Sequence, residues 1–166
     1  METQLEFIDH RLVHLSEGTY CWVDIKRFHT DVDTTDRELL EALIAHDQYH
    51  DHYAGHDVAE QTHHSHGPYR LECITAGTFT STTANAANAR LATWAENVDP
   101  NAPMSRDIVK AEVLPLLADG RLYELPDLGQ AAHHEWGFVV GVNGFLEFIH
   151  IDPHQRILSL FVASDD

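Results

Sequence analysis

The chain is poor in positive charge. Its 166 residues include ten Lys and Arg against 27 Asp and Glu, a net charge of -17 with histidine neutral. Binding to a nucleic-acid backbone needs clustered cationic side chains, and none are clustered here, so direct nucleic-acid binding is not expected. The same imbalance disfavours an anionic membrane surface. Cysteine is scarce as well. Cys21 and Cys73 each sit in an apolar, strand-like context without CxxC spacing, and two lone cysteines make no disulfide framework. They are expected to be small buried hydrophobes in a reducing compartment. No apolar run approaches a membrane span. The start, Met-Glu-Thr, lacks a basic region followed by an apolar stretch, so no signal peptide is expected and a cytoplasmic location is the default. A Gly-rich phosphate loop and a G-x-S-x-G elbow are also missing.

What is present suffices for a core: 43% of residues are hydrophobic, and the length suits one domain spanning residues 1–166. Leu5, Ile8, Leu12 and Leu15 fall at helical spacing and predict a helix over 3–16. Residues 19–29 read as a strand. Asp33, Thr34 or Thr35 would cap a second helix carrying Leu39, Leu40, Leu43 and Ile44. A strand is expected over 69–75, and helices over 83–97 and 104–118, the last shortened or kinked by Pro115. Strands at 138–142 and 145–151 flank Asn143-Gly144, a strong two-residue hairpin signal. Asp152-Pro153 then turns the chain into a strand over 156–163. The expected fold class is α+β, with a C-terminal three-stranded antiparallel meander packed against several helices. Its strands are apolar on both faces, so cover is expected on more than one side.

The outstanding composition lies in residues 46–66, where seven of 21 residues are histidine. Imidazole is the commonest metal ligand and the side chain most apt to change charge near neutral pH. His46 and His50, four apart on a helix, would share a face, and His56 follows Gly55. Three imidazoles leave a fourth position on a metal for water, so His46, His50 and His56 are the candidate ligands of Zn or Ni. Asp47 is the candidate catalytic base beside them. The H-x3-H-x5-H pattern resembles the metzincin proteases and a family of zinc-dependent endoribonucleases that matures ribosomal RNA. It covers only 46–56, with Asp47 in place of the metzincin glutamate and Tyr53 in place of its glycine.

Extending the second helix would put Asp47 and Asp51 on its apolar stripe, where carboxylates need a cation or a pairing partner. The other outcome is that the helix ends near His46. His63, His64, His66, His133, His134, His150 and His154 are further candidates to join a site. The leading expectation is thus a small acidic protein binding a divalent transition metal, in one version a metal-dependent hydrolase. The alternative is a non-catalytic acidic binding protein, an inhibitor or immunity-type partner of a basic protein, its charge steering association. Protonating all fourteen histidines would bring the charge from -17 to -3, which makes pH sensing a further expectation.

Overall fold

A computed structural model describes residues 3–15, 21–51, 53, 64–98, 103–134 and 144–165. The fold is α+β, built on a six-stranded antiparallel sheet. Its strands are β1 (Glu6–His14), β2 (Cys21–His29), β5 (Thr80–Thr82), β6 (Arg121–Leu125), β7 (Leu146–Asp152) and β8 (Ile157–Asp165), in spatial order β1-β2-β8-β7-β6-β5. A two-stranded ribbon, β3 (Ser65–His66) with β4 (Tyr69–Arg70), lies apart from it. The helices are α1 (Asp36–Ala45), α2 (Ala84–Val98) and α3 (Pro103–Glu112).

Both faces of the sheet are covered, as the doubly apolar strands require. Side chains alternate along each strand, so β8 sends Leu158, Leu160 and Val162 to one core and Phe161 and Ala163 to the other. The first core also takes Leu39, Leu40 and Leu43 of α1; the second takes Leu91 and Trp94 of α2 and Val109 of α3. Thr35 starts α1 with a capping box: its hydroxyl accepts the Glu38 N–H at 3.3 Å, while the Glu38 carboxylate accepts the Thr35 N–H at 2.8 Å. After α3 the chain tightens into a 3-10 turn at Leu114–Leu117, where Pro115 cannot continue an α-helix.

Where a helix was expected over 3–16, Glu6–His14 is a strand. Pairing with β2 from Glu6↔His29 to His14↔Trp22 outweighs the leucine spacing, and a register shift between Phe7 and Asp9 breaks that periodicity. Of the nine residues in β1 only Val13 is buried; Leu5 and Leu15 are buried just outside its ends. The expected strand at 69–75 is shorter, giving way to a 3-10 turn at Leu71–Cys73. At the C-terminus, β7 and β8 match two of the three expected meander strands and pair antiparallel from Leu146↔Ala163 to Asp152↔Ile157. The strand expected at 138–142 lies outside the described residues. The described neighbour of β7 opposite β8 is β6.

Candidate functional site

The histidine segment begins where α1 stops. His46 is the C-cap, with extended backbone (φ -77°, ψ 137°), so the apolar stripe of α1 ends before Asp47. His46 Nδ1 accepts the Gln48 N–H at 3.0 Å, and its ring meets Phe28 edge-on at 5.0 Å. His50 Nε2 lies 2.9 Å from the Ile44 carbonyl, which can only accept, so this nitrogen donates its N–H. That bond takes Nε2 out of any ligand set. Asp47 is exposed. His56 lies outside the described residues, as do His52 and His63.

Among the described residues, no three His, Cys, Asp or Glu side chains are grouped to hold a metal ion. This overturns the expected function, a protein that binds a divalent transition metal through its histidine cluster and in one version hydrolyses with it; of the three expected ligands His46, His50 and His56, the last lies outside the described residues. The physical reason is local. Ending the helix at Ala45 removes the shared face that four-residue spacing would create, and backbone groups engage His46 Nδ1 and His50 Nε2.

Of the segment's described residues, 46–51, Tyr53 and His66 instead join a buried polar cluster on the α1 side of the sheet. β2 contributes Asp24 and Lys26, both buried, between Trp22 and Phe28 on the same face. The Lys26 ammonium donates to Asp51 Oδ2 at 2.6 Å and to the Gln48 carbonyl at 2.8 Å. It also lies 3.8 Å from Asp24 Oδ2 and 5.0 Å from the centre of the Tyr53 ring. Burial alone would push the Asp51 carboxyl up; Lys26, the Tyr53 N–H and His66 outweigh it and hold it below the usual carboxylate range. Asp24 goes the other way, its desolvation raising it despite Lys26 and His10. Asp51 does meet a cation, but it is an ammonium from β2.

A second part of the cluster joins three elements through His66. Its side chain and that of Glu147 are wholly buried. His66 Nδ1 lies 2.6 Å from the Tyr49 carbonyl and Nε2 lies 2.5 Å from Glu147 Oε2. The carbonyl can only accept, so Nδ1 carries a proton; a second proton must lie between Nε2 and Glu147, or two lone pairs would face each other in the core. The Tyr49 hydroxyl donates to Glu147 Oε1 at 3.0 Å, and its ring stacks on His66 with centroids 3.7 Å apart. Burial, with Glu147 nearby, pushes the Tyr49 phenol well above its ordinary range, and burial with Asp51 does the same for Tyr53. Both phenols therefore keep their protons; Tyr49 donates a hydrogen bond to Glu147, while the Tyr53 hydroxyl is buried with no hydrogen-bond partner among the described residues. The cluster is a clamp: it fixes residues 46–51, Tyr53 and the β3–β4 ribbon to the sheet, and the Gly67 N–H adds a 2.9 Å bond to the Asp51 carbonyl.

The other histidines disperse. His133 meets Tyr69 edge-on, and His134 Nε2 lies 2.7 Å from the Gly67 carbonyl. His150 is buried in β7, while His64 and His154 are exposed. Reasoning from the sequence missed Lys26, Asp24, Tyr49 and Glu147. One signal was available: Asp24 and Lys26 alternate with Trp22 and Phe28 in a strand whose other face is apolar, so two charges had to enter a core.

Comparison with protein-family models, curated proteins and solved structures finds no match to this chain.

Proposed function

We propose that the chain acts by binding a basic protein, with its acidic surface as the recognition element. The observation that carries this reading is where the few cations go. Eight of the ten Lys and Arg form ion pairs with the chain's own carboxylates: Arg11–Glu112, Lys26–Asp51, Arg27–Asp9, Arg37–Glu41, Arg70–Glu72, Arg90–Glu124, Arg106–Glu96 and Arg121–Asp36. The surplus acid is left on the outside, where Glu6, Asp31, Asp33, Asp47, Asp107 and Asp119 are all exposed. A surface field of one sign speeds encounter with a cationic partner and is screened by salt.

No helix among the described residues is long and apolar enough to cross a membrane. The two cysteines are free thiols, which supports placing the interaction in the reducing cytoplasm. The test is crosslinking in cells, mass spectrometry of the crosslinked partner, and reconstitution of the pair from purified proteins. The expected partner has an excess of Lys and Arg, and its association rate falls by roughly tenfold or more as ionic strength rises from about 0.05 to 0.5 M. An acidic or neutral partner, or a rate indifferent to salt, overturns the proposal.

A further inference from the structure

We infer that β1 is an interface for a second copy of this chain, pairing antiparallel with the β1 of its partner about a two-fold axis at His10. Among the described residues β1 has one strand neighbour, β2, so it is an edge of the six-stranded sheet. It is also a long edge. It runs nine residues and leaves Phe7 36% and Leu12 43% exposed. Natural edge strands of this length are ordinarily shortened, covered or guarded by charge, because their outward N–H and C=O groups template pairing.

The sequence of the strand decides which partner fits. In an antiparallel pair related by a two-fold axis normal to the sheet, residues directly opposite must lie on the same face. The axis must therefore pass through a residue pair, not between pairs. Centring on Asp9 sets two carboxylates opposite each other, and centring on Arg11 sets two guanidiniums opposite. Like charges so placed repel. Centring on His10 sets Asp9 against Arg11 of the other copy, twice by symmetry, and Ile8 against Leu12. Asp9 and Arg11 lie on one face of the strand, opposite Arg27 and Ile25 of β2, so the central D-H-R is complementary to its own reverse.

The strand is already prepared for this. Arg27 Nε holds Asp9 Oδ1 at 2.8 Å from the neighbouring strand, and Glu112 of α3 holds Arg11. His10 is drawn toward Asp24 across β2, so the axis brings no carboxylates face to face. The register shift between Phe7 and Asp9 limits regular pairing to the centre of the strand, which makes the interface short and its charge pairs decisive. Two copies each of charge -17 repel at long range, but that repulsion is screened beyond about 8 Å at physiological salt. The assembly is an isologous dimer with one sheet running through both copies.

Light scattering on the eluting peak of a sizing column tests this at physiological ionic strength and high micromolar protein. The expected mass is twice the 18.8 kDa of one chain. Asp9→Lys faces Arg11 with a like charge and Arg11→Glu faces Asp9 with another, so each variant alone is expected to run as a monomer. Mixed in equal amounts they restore opposite charges in both pairs and regain the doubled mass. A misfolded variant could not do that. A monomeric wild type, a dimer unaffected by either substitution, or a mixture that stays monomeric overturns the inference.

Discussion

Lys26→Met removes a buried ammonium while keeping most of the side-chain stem that packs under Tyr53. What it leaves behind sets the loss. Asp24, with 4% of its side chain exposed, loses a cation 3.8 Å away; Asp51 loses a 2.6 Å ion pair; and the Gln48 carbonyl loses its donor. Breaking a buried pair from one side typically costs about 3–5 kcal/mol, because the remaining charge has no compensation. The Asp51 side chain is 36% exposed, so water recovers part of that loss and the figure falls to roughly 3 kcal/mol. For a chain of this size the melting temperature should fall by roughly 6–12 °C. Urea denaturation followed by far-UV circular dichroism measures it, at an expected shift of about 1–2 M in midpoint. Arg37→Met is the control: it breaks the exposed pair with Glu41 in α1 and should cost about 0.5 kcal/mol or less. Adding Asp51→Asn to Lys26→Met should restore part of the stability by removing an unpaired carboxylate. A loss below about 1 kcal/mol, or a double variant no more stable than Lys26→Met, would refute the clamp as described.

Three further outcomes follow from the same geometry. Glu147→Gln should be mild, about 1 kcal/mol or less, since the amide oxygen can accept from Tyr49 and the amide nitrogen can donate to His66 Nε2; Glu147→Leu strands both groups in the core and should cost roughly 3 kcal/mol, with chemical denaturation reading the order. Gly67→Ala meets two obstacles, a left-handed φ of +52° and a Cβ placed 2.4 Å from the Phe145 ring, so a thermal melt should show a loss of at least about 2 kcal/mol. Burial lowers the His46 imidazole below its ordinary range, so the fold prefers it neutral and stability should decline as pH falls below about 6.5; replacing His46 with Asn should remove that part of the pH profile. Asp36 adds a later step. Burial pushes its carboxyl up, but Arg121 and the Tyr123 hydroxyl outweigh this and hold it low, so its contribution is present above about 3.9 and is lost as pH falls through its folded value. Asp24, raised by burial, works against the His46 decline in the acid range just above its ordinary value.

Elements whose signals are local were legible in the sequence. The cap at Thr35, the leucines of α1 and the break at Pro115 are decided within a few residues, and the structure keeps them. The strand at Glu6–His14 was not legible, because its leucine spacing fits a helix and the partner that makes it a strand begins at Cys21. The histidine segment failed for a related reason. Four-residue spacing signals a shared ligand face only while the helix lasts, and α1 ends one residue before His46. Past the helix end His46 and His50 each take a backbone partner, and His66 enters the core, tied to Glu147 from 81 residues away. No spacing rule reaches across that distance.

The two halves of the charge pattern have different physical roles. Inside, Lys26 is set against Asp51 and Asp24, and His66 against Glu147. These groups are mostly buried, so screening by salt reaches them little and their effect is to fix one arrangement of residues 46–51 and Tyr53 on the sheet. Outside, seven arginines sit in ion pairs that are mostly exposed and individually weak. Their larger effect is on the field: each holds its positive charge beside a negative one, so what extends into solvent is the unpaired acid. A reader of composition alone sees -17 spread over 166 residues. The structure separates it into a neutralised interior and an anionic exterior, and only the exterior is available to a basic partner. It follows that Lys26→Met should weaken the fold without altering the salt dependence of partner association, whereas exposed Asp31→Asn, Asp33→Asn and Asp47→Asn should together flatten that dependence at unchanged stability. If the buried change moved the salt slope as much as the surface changes did, the division of labour argued from these ion pairs would not hold.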